Sequence, residues 1–449
     1  MTRSIPLYIL LFVMVLACRT IAGITPQPTR SLPPIQTPLP TPISTSTFLS
    51  DATLEEKENT ATKWSLWVDG PHLRGANIYQ KRIYLELDGS TYMGPGPLGP
   101  PFNQEDFDQL VKLGANYVNI SHPGLFSERP PFTLDKDVQQ NLDYLLEMIA
   151  QADMFAVISF RTGPGRSEFT FFWGTDDDWF TKDYYNDTVW KDVAAQEAWV
   201  EMWRYTAERY KDNPIVAGYD LMVEPNSNDV WFNEWDPETF YAQRGESSYD
   251  WNPLAQRIST GIRQVDAQTP ILIGGNAYSA VNWLPYLKVT ADPHTVYVVH
   301  QYSPGQYTRQ EPGEESYTYP GEFDIDGDGQ PDDFNRAWLE KNLFSVIEDF
   351  TSLHAVPVAA NEYGVVRWVP GASEYMHDLM DLFEAHHMNY ALWEWSTSWP
   401  ERVASYDAFH FPHGSDPDNH KDVDSALQEV IRLFWSRNQY RPSNTPFGE

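Results

Sequence analysis

Apolar positions along the chain follow two alternating patterns. Short, nearly continuous hydrophobic runs recur at HLRGANI (72–78), NYVNI (116–120), FAVISF (155–160), VAGYDLMV (216–223), PILIGG (270–275), TVYVVH (295–300), PVAANEY (357–363) and YALWEW (390–395). Runs of this kind read as strands buried on both faces. Between them lie amphipathic stretches with helical spacing, such as KDVQQNLDYLLEMIAQAD, KDVAAQEAWVEMWRYTAERYKD and SEYMHDLMDLFEAHHM, and DVDSALQEVIRLFWSRN closes the series. Strands that alternate with helices predict a parallel sheet with crossover connections. Eight such units predict a closed (β/α)₈ TIM barrel with long loops at the C-terminal face of its strands. The fifth unit is the weakest, because the stretch after GGNAYSAVNWLPYL offers only a short helix. An open doubly wound sheet is the alternative, but the Gly-rich phosphate turn expected after its first strand is missing from RGANIYQ.

The N-terminal region has a different character. Arg3 precedes an apolar run at 5–17 that is short for a membrane span and suits the core of a signal peptide. Cys18, the one cysteine of the 449-residue chain, follows directly, so a disulfide within the chain is excluded. Its placement in VLAC resembles the lipobox of bacterial lipoproteins, which implies lipidation of Cys18 and anchoring at the cell surface; cleavage of an ordinary secretory signal near IAG is the alternative. Residues 25–50 carry seven prolines and no acid, the composition of an extended spacer. The expected organisation is therefore a signal segment at 1–17, a linker at 18–61, a barrel domain at 62–440 and a tail at 441–449.

Charge narrows the partners. With 63 acidic against 31 basic residues the net charge is -32, which repels nucleic acid and anionic bilayers, so membrane contact is expected through the lipid anchor alone. Seventeen Trp, 25 Tyr and 23 Phe suit a protein that stacks flat, neutral ligands, and suit a large aromatic core equally. Aromatic residues in FTFFWGTDDDWF (169–180) and NDVWFNEWDPETFY (228–241) fall in loops after strands three and four, where they would either floor a cleft or cover hydrophobic surface.

Two carboxylates stand out. Glu224 ends strand four and Glu362 ends strand seven. In a barrel of this kind the strand ends converge on one mouth. Two carboxyl groups meeting there can divide glycoside cleavage, one protonating the leaving oxygen while the other attacks the anomeric carbon. Their mutual repulsion would separate their pKa values.

RGANI, GYDLMVEPN, HQY, NEYG and ALWEW together resemble glycoside hydrolase family 5, the cellulase family of retaining (β/α)₈ glycosidases, over most of the region from 62 to 438. The resemblance implies cleavage of a β-linked glycan by double displacement, endo-β-1,4-glucanase or mannanase-like, in a monomer that needs no cofactor for catalysis. It implies Glu224 as acid/base, Glu362 as nucleophile, His300 and Tyr302 lining the site with the Tyr302 hydroxyl on Glu362, and Trp393 as a platform beneath the sugar. Arg74 and Asn226, within the same motifs, are counted among the substrate-binding residues. Two departures bear on activity: Val223 stands where the family has an asparagine before the acid/base, and Asn119 where it has an arginine near the nucleophile. Arg161, in SFRTGPGRSE, is the candidate replacement cation, and this stretch also resembles a turn of galactoside-cleaving relatives. A non-catalytic surface carbohydrate-binding lipoprotein and a β-galactosidase-like exo-enzyme are the rival readings.

DIDGDGQPDDFN, residues 324–335, follows the calcium-loop spacing, with candidate ligands Asp324, Asp326, Asp328, Gln330 and Asp332 and with Asn335 in place of the usual final Glu. A structural Ca²⁺ is the expectation. The pair His386 and His387 and the scattered histidines lack ligand spacing for zinc. Neither a G-x-S-x-G elbow nor a phosphate-cradling loop is present.

Overall fold

In a computed structural model of the chain the described residues run from 61 to 447, apart from 69, 173–179, 314–315, 404–406 and 446. The signal segment, Cys18 and nearly all of the linker lie outside them, as does the middle of the aromatic loop after strand three.

Eight parallel strands close a barrel: β1 (Arg74–Tyr79), β2 (Tyr117–Pro123), β3 (Phe155–Thr162), β4 (Val216–Asp220), β5 (Ile271–Gly274), β6 (Thr295–Gln301), β7 (Val358–Tyr363) and β8 (Tyr390–Leu392). All eight expected strands form. β4 stops at Asp220, three residues before the expected Val223. The helices α1 (Gln104–Lys112), α2 (Lys136–Gln151), α3 (Val193–Tyr210), α4 (Trp251–Arg263), α5 (Ser345–His354), α6 (Ala372–Ala385) and α7 (Ala426–Trp435) intervene or follow. Side-chain caps start α2, α3 and α4, where Asp135, Asp192 and Asp250 accept from first-turn amides. The fifth unit is the irregular one, with a short 3₁₀ turn at Val281–Tyr286 in place of a helix.

The barrel interior is layered. At the N-terminal end it is apolar, with Tyr117, Phe155, Val157, Leu272, Val296 and Val298 packed together and plugged by Leu66 and Trp67, whose indole donates to the Ala217 carbonyl at 3.0 Å. Phe447 meets Phe155 at this end and Ser443 Oγ donates to Asp153, so the tail is docked on the domain. Gly75 in RGANI is required here, because a Cβ would lie 1.8 Å from the Tyr117 carbonyl oxygen.

Above that plug the interior turns polar. Asn77 Nδ2 donates to the Asn361 carbonyl (2.9 Å), Asn119 Nδ2 to Asn77 Oδ1 (2.7 Å), Ser159 Oγ to Asn119 Oδ1 (2.6 Å), and Asn361 Nδ2 to Asp220 Oδ2 (2.7 Å). A buried polar layer is tolerated when its members bond one another. It forms the floor on which the strand-end carboxylates stand.

Candidate active site

Glu224 and Glu362 meet at the C-terminal mouth. His300, on β6, lies between them, with Nδ1 3.0 Å from Glu224 Oε1 and 3.5 Å from Glu362 Oε2. One ligating atom from each of the three falls within 4.8 Å of the others, which bounds the gap between the two carboxylates. The Tyr302 hydroxyl donates to Glu362 Oε1 at 2.8 Å. Burial opposes ionisation of all three groups, and their mutual contacts decide the outcome. Burial and the charge of Glu224 push Glu362 up to about 7. Despite burial, the His300 hydrogen bond and charge hold Glu224 below the usual carboxylate range, and the two carboxylates raise His300 to about 9. Carboxylates this close share their titration, so their protons belong to the pair rather than to either residue.

Glu224 is held by backbone geometry as well. Its φ is 54°, in the left-handed region where an L residue is strained by about 1–2 kcal/mol. The buried Arg166 offsets this strain: Nη1 donates to the Val223 carbonyl (2.7 Å) and Nη2 to the Glu224 carbonyl (2.6 Å). Burial, with the charge of Arg161 beside it, lowers Arg166 to about 9. Arg166 was not singled out in the sequence, although it closes the RTGPGR turn that contains Arg161.

Arg161 itself reaches the mouth from β3, where its Nε donates to Glu168 Oε1 at 2.9 Å and Oε2 at 3.2 Å. Tyr79 donates to the same carboxylate at 2.8 Å. The Arg161 charge favours ionisation of Glu224 and Glu362, and Arg309, over the Tyr302 ring at 4.7 Å, does so for Glu224. Asn119 lies deeper, in the polar layer, and Val223 is buried. The cation expected on β2 is therefore supplied from β3.

Two expected binding residues are placed differently. Arg74 opens β1 at the opposite end of the barrel, where it is buried in a two-pronged pair with Glu384 (2.5 and 2.7 Å), so it cannot reach the mouth. Asn226 is fully buried, with Nδ2 donating to the Thr170 carbonyl at 3.1 Å, and it braces the turn behind Glu224 rather than facing a ligand. Trp393 follows β8 and is buried like Glu362 and His300, with Tyr79 edge-on to its ring at 6.0 Å. Sequence reasoning missed Tyr278. Its amide donates to the Pro225 carbonyl, its hydroxyl to Asp229 (2.7 Å), and its ring stacks on Trp235 at 6.1 Å.

A model of the family described as cellulase (glycosyl hydrolase family 5) matches residues 84–398. The chain belongs to that family. Among curated proteins it is 27 % identical over 225 residues to an endoglucanase of Paenibacillus polymyxa, covering 44 % of this chain and 49 % of the relative, so it spans about half that protein's length. It is 21 % identical over 320 residues to endoglucanase C of Acetivibrio thermocellus, covering 65 % of this chain and 83 % of the relative. The crystal structure of an endoglucanase from the hyperthermophilic Thermotoga maritima superposes with a TM-score of 0.56 at 17 % identity, covering 83 % of this chain and all of that one. This family's barrel and the closed eight-strand sheet agree.

The acidic loop joins the two antiparallel strands of a hairpin, Gly321–Phe323 and Asp332–Phe334. One carboxylate oxygen each of Asp324, Asp326 and Asp328 lies within 4.8 Å of the others, and all three residues are exposed. Asp332 accepts from the Ile325 amide (3.1 Å), and the Gln330 amide donates to Asp328 (2.8 Å). Asn335 caps the following helical turn through its Oδ1, which turns it away from the loop. The donor set is hard oxygen and fits Ca²⁺.

Proposed function

We propose that the chain cleaves β-1,4-linked glucan or mannan internally, with retention of anomeric configuration, using Glu224 and Glu362. The observation that carries this is the pairing of the two carboxylates around His300, close to the roughly 5–5.5 Å spacing of retaining enzymes. Glu362, oriented by Tyr302, attacks the anomeric carbon while Glu224 gives its proton to the leaving oxygen, forming a glycosyl ester. Glu224 then takes a proton from water, whose oxygen attacks the same carbon and releases Glu362.

The proton count suits this division. With His300 as imidazolium the pair retains one proton near neutral pH, and its shift from Glu362 to Glu224 leaves the count unchanged while arming both residues. Substrate class rests on likeness: a Thermotoga maritima relative has been crystallised with cellobiose and with mannotriose.

Secretion and anchoring through a lipidated Cys18, supported by the N-terminal sequence and the proline-rich spacer, complete the proposal together with a monomeric state. So does one structural Ca²⁺ in the loop at 324–332. The deciding experiment is a panel of β-glucans, mannans and galactosides assayed with the native enzyme, Glu224→Ala and Glu362→Ala, with NMR of the first product. Initial β-anomer from the native enzyme alone is expected. Binding without turnover in all three proteins would establish the carbohydrate-binding reading instead, and release of α-anomer would overturn the double displacement.

A further inference from the structure

The segment after β8 contains HFPHGSDPDNHKDVD, residues 410–424, and it winds around a buried cation. Arg367, 2 % exposed, donates to the carbonyls of Gly414 (2.8 Å), Pro417 (3.2 Å) and Asn419 (3.0 Å) and to Asp407 Oδ2 (2.8 Å). The same Asp407 oxygen lies 2.6 Å from His413 Nδ1 and 3.0 Å from His420 Nδ1. One ligating atom from each of Asp407, His413 and His420 falls within 4.8 Å of the other two. Asp407 and His413 are buried, whereas the His420 side chain is 39 % exposed, which opens the cluster to solvent at one corner.

Two imidazole nitrogens and a carboxylate oxygen make a donor set for zinc-type ions, and nitrogen donors argue against Ca²⁺ and Mg²⁺. Ligand atoms around a tetrahedral ion with bonds of about 2.0–2.1 Å stand roughly 3.3 Å apart. An ion replacing the two bridging protons therefore needs movements of only about 1 Å. The outer partners are those a metal site uses to orient its ligands. Arg367 fixes Asp407, and Asp422 Oδ1 lies 3.9 Å from the second nitrogen of His413.

We propose that Asp407, His413 and His420 bind one divalent transition ion of the zinc class, with water completing the coordination. The ion fastens a loop whose Phe409 packs edge-on against Tyr302 at 6.0 Å, the residue that donates to Glu362. It touches no reacting atom and braces the wall of the catalytic centre from behind.

The test uses the full chain after dialysis against EDTA, titrated with ZnCl₂ by calorimetry and with CoCl₂ by visible absorption. One zinc equivalent and cobalt d–d bands of a nitrogen-ligated site are expected. His420→Ala removes a half-exposed ligand, so its melting temperature without metal should match the native protein while zinc affinity falls about 100-fold and the cobalt bands disappear. Glu224→Ala and Asp328→Asn, which disable the catalytic cluster and the acidic loop, should keep both signals. Absence of zinc uptake by the native protein, or uptake unchanged in His420→Ala, would overturn the proposal and leave a hydrogen-bonded His-Asp cluster that needs no ion.

Discussion

Arg166 donates from Nη2 to the carbonyl of Glu224 at 2.6 Å, and so fixes a catalytic candidate by its backbone rather than its side chain. Nη1 of the same guanidinium holds the Val223 carbonyl, and a fork of this shape is what a lysine lacks. Arg166→Met should destabilise the fold by about 3 kcal/mol, because two buried carbonyls lose a charged donor. It should lower kcat as well, since the strained Glu224 backbone is released. Arg166→Lys should recover part of the melting temperature and little of kcat, measured by calorimetry and steady-state kinetics; full recovery of both would show that charge alone matters.

The division of labour between the carboxylates predicts a dependence on leaving group. Glu224→Ala should lose about 10²–10⁴ in kcat on an oligosaccharide, whose leaving oxygen needs a proton. On a dinitrophenyl glycoside, which leaves unaided, formation of the glycosyl-enzyme should be nearly as fast as in the native protein, seen as a burst of phenolate. Glu362→Ala should be inactive on both substrates. Equal losses for Glu224→Ala on the two substrates would remove its role as acid.

The protonation unit sets a pH window. Activity needs one proton on the carboxylate pair, so kcat/KM should decline as pH rises through about 7, where Glu362 loses its proton. The acid limb should lie below the usual carboxylate value, because burial is outweighed at Glu224 by His300. In His300→Asn that cation is gone, and the acid limb should move toward neutrality. A pH–rate profile of the two proteins checks this, and an unmoved acid limb would contradict the role given to His300.

Buried Asp220 predicts a stability effect. Burial raises it to about 6, above its unfolded value near 3.9, so the folded state binds more protons between those values and stability falls as pH rises across that window. Asp220→Asn keeps an acceptor for Asn361 and removes the titration. Its melting temperature should lose that falling segment between roughly pH 4 and 6, and a curve parallel to the native one would show that Asp220 is ionised throughout.

Calcium in the loop at 324–332 should raise the melting temperature of the EDTA-treated protein, and at about 100 times the dissociation constant the gain is about 2.7 kcal/mol. Asp324→Asn should abolish the calcium response while leaving glycan turnover intact. An identical melting curve with and without calcium in the native protein would rule the site out.

Strand and helix positions were legible along the chain because burial of both sheet faces writes itself as apolar runs, and helix amphipathicity as a 3.6-residue period. The meeting of the two carboxylates was legible for a related reason: strand ends of a closed barrel share one mouth, so Glu224 and Glu362 could be placed together from their strand numbers. Placement within a strand was harder to read. Arg74 and Glu362 both fall within strand motifs, yet one opens its strand and the other stands next to the end of its own, which puts them at opposite ends of the cylinder.

The sequence by itself determined the barrel, its eight strands and the two carboxylates, since these follow from local periodicity and order along the chain. Only the tertiary structure decided which side chains meet across that order. Asn119 joins a polar layer instead of reaching Glu362, Arg161 on β3 and Arg166 in the turn after it bring charge to the mouth, and His413 and His420 converge on Asp407. Such meetings depend on barrel register and on how loops fold back over the strand ends, and neither leaves a period in the sequence.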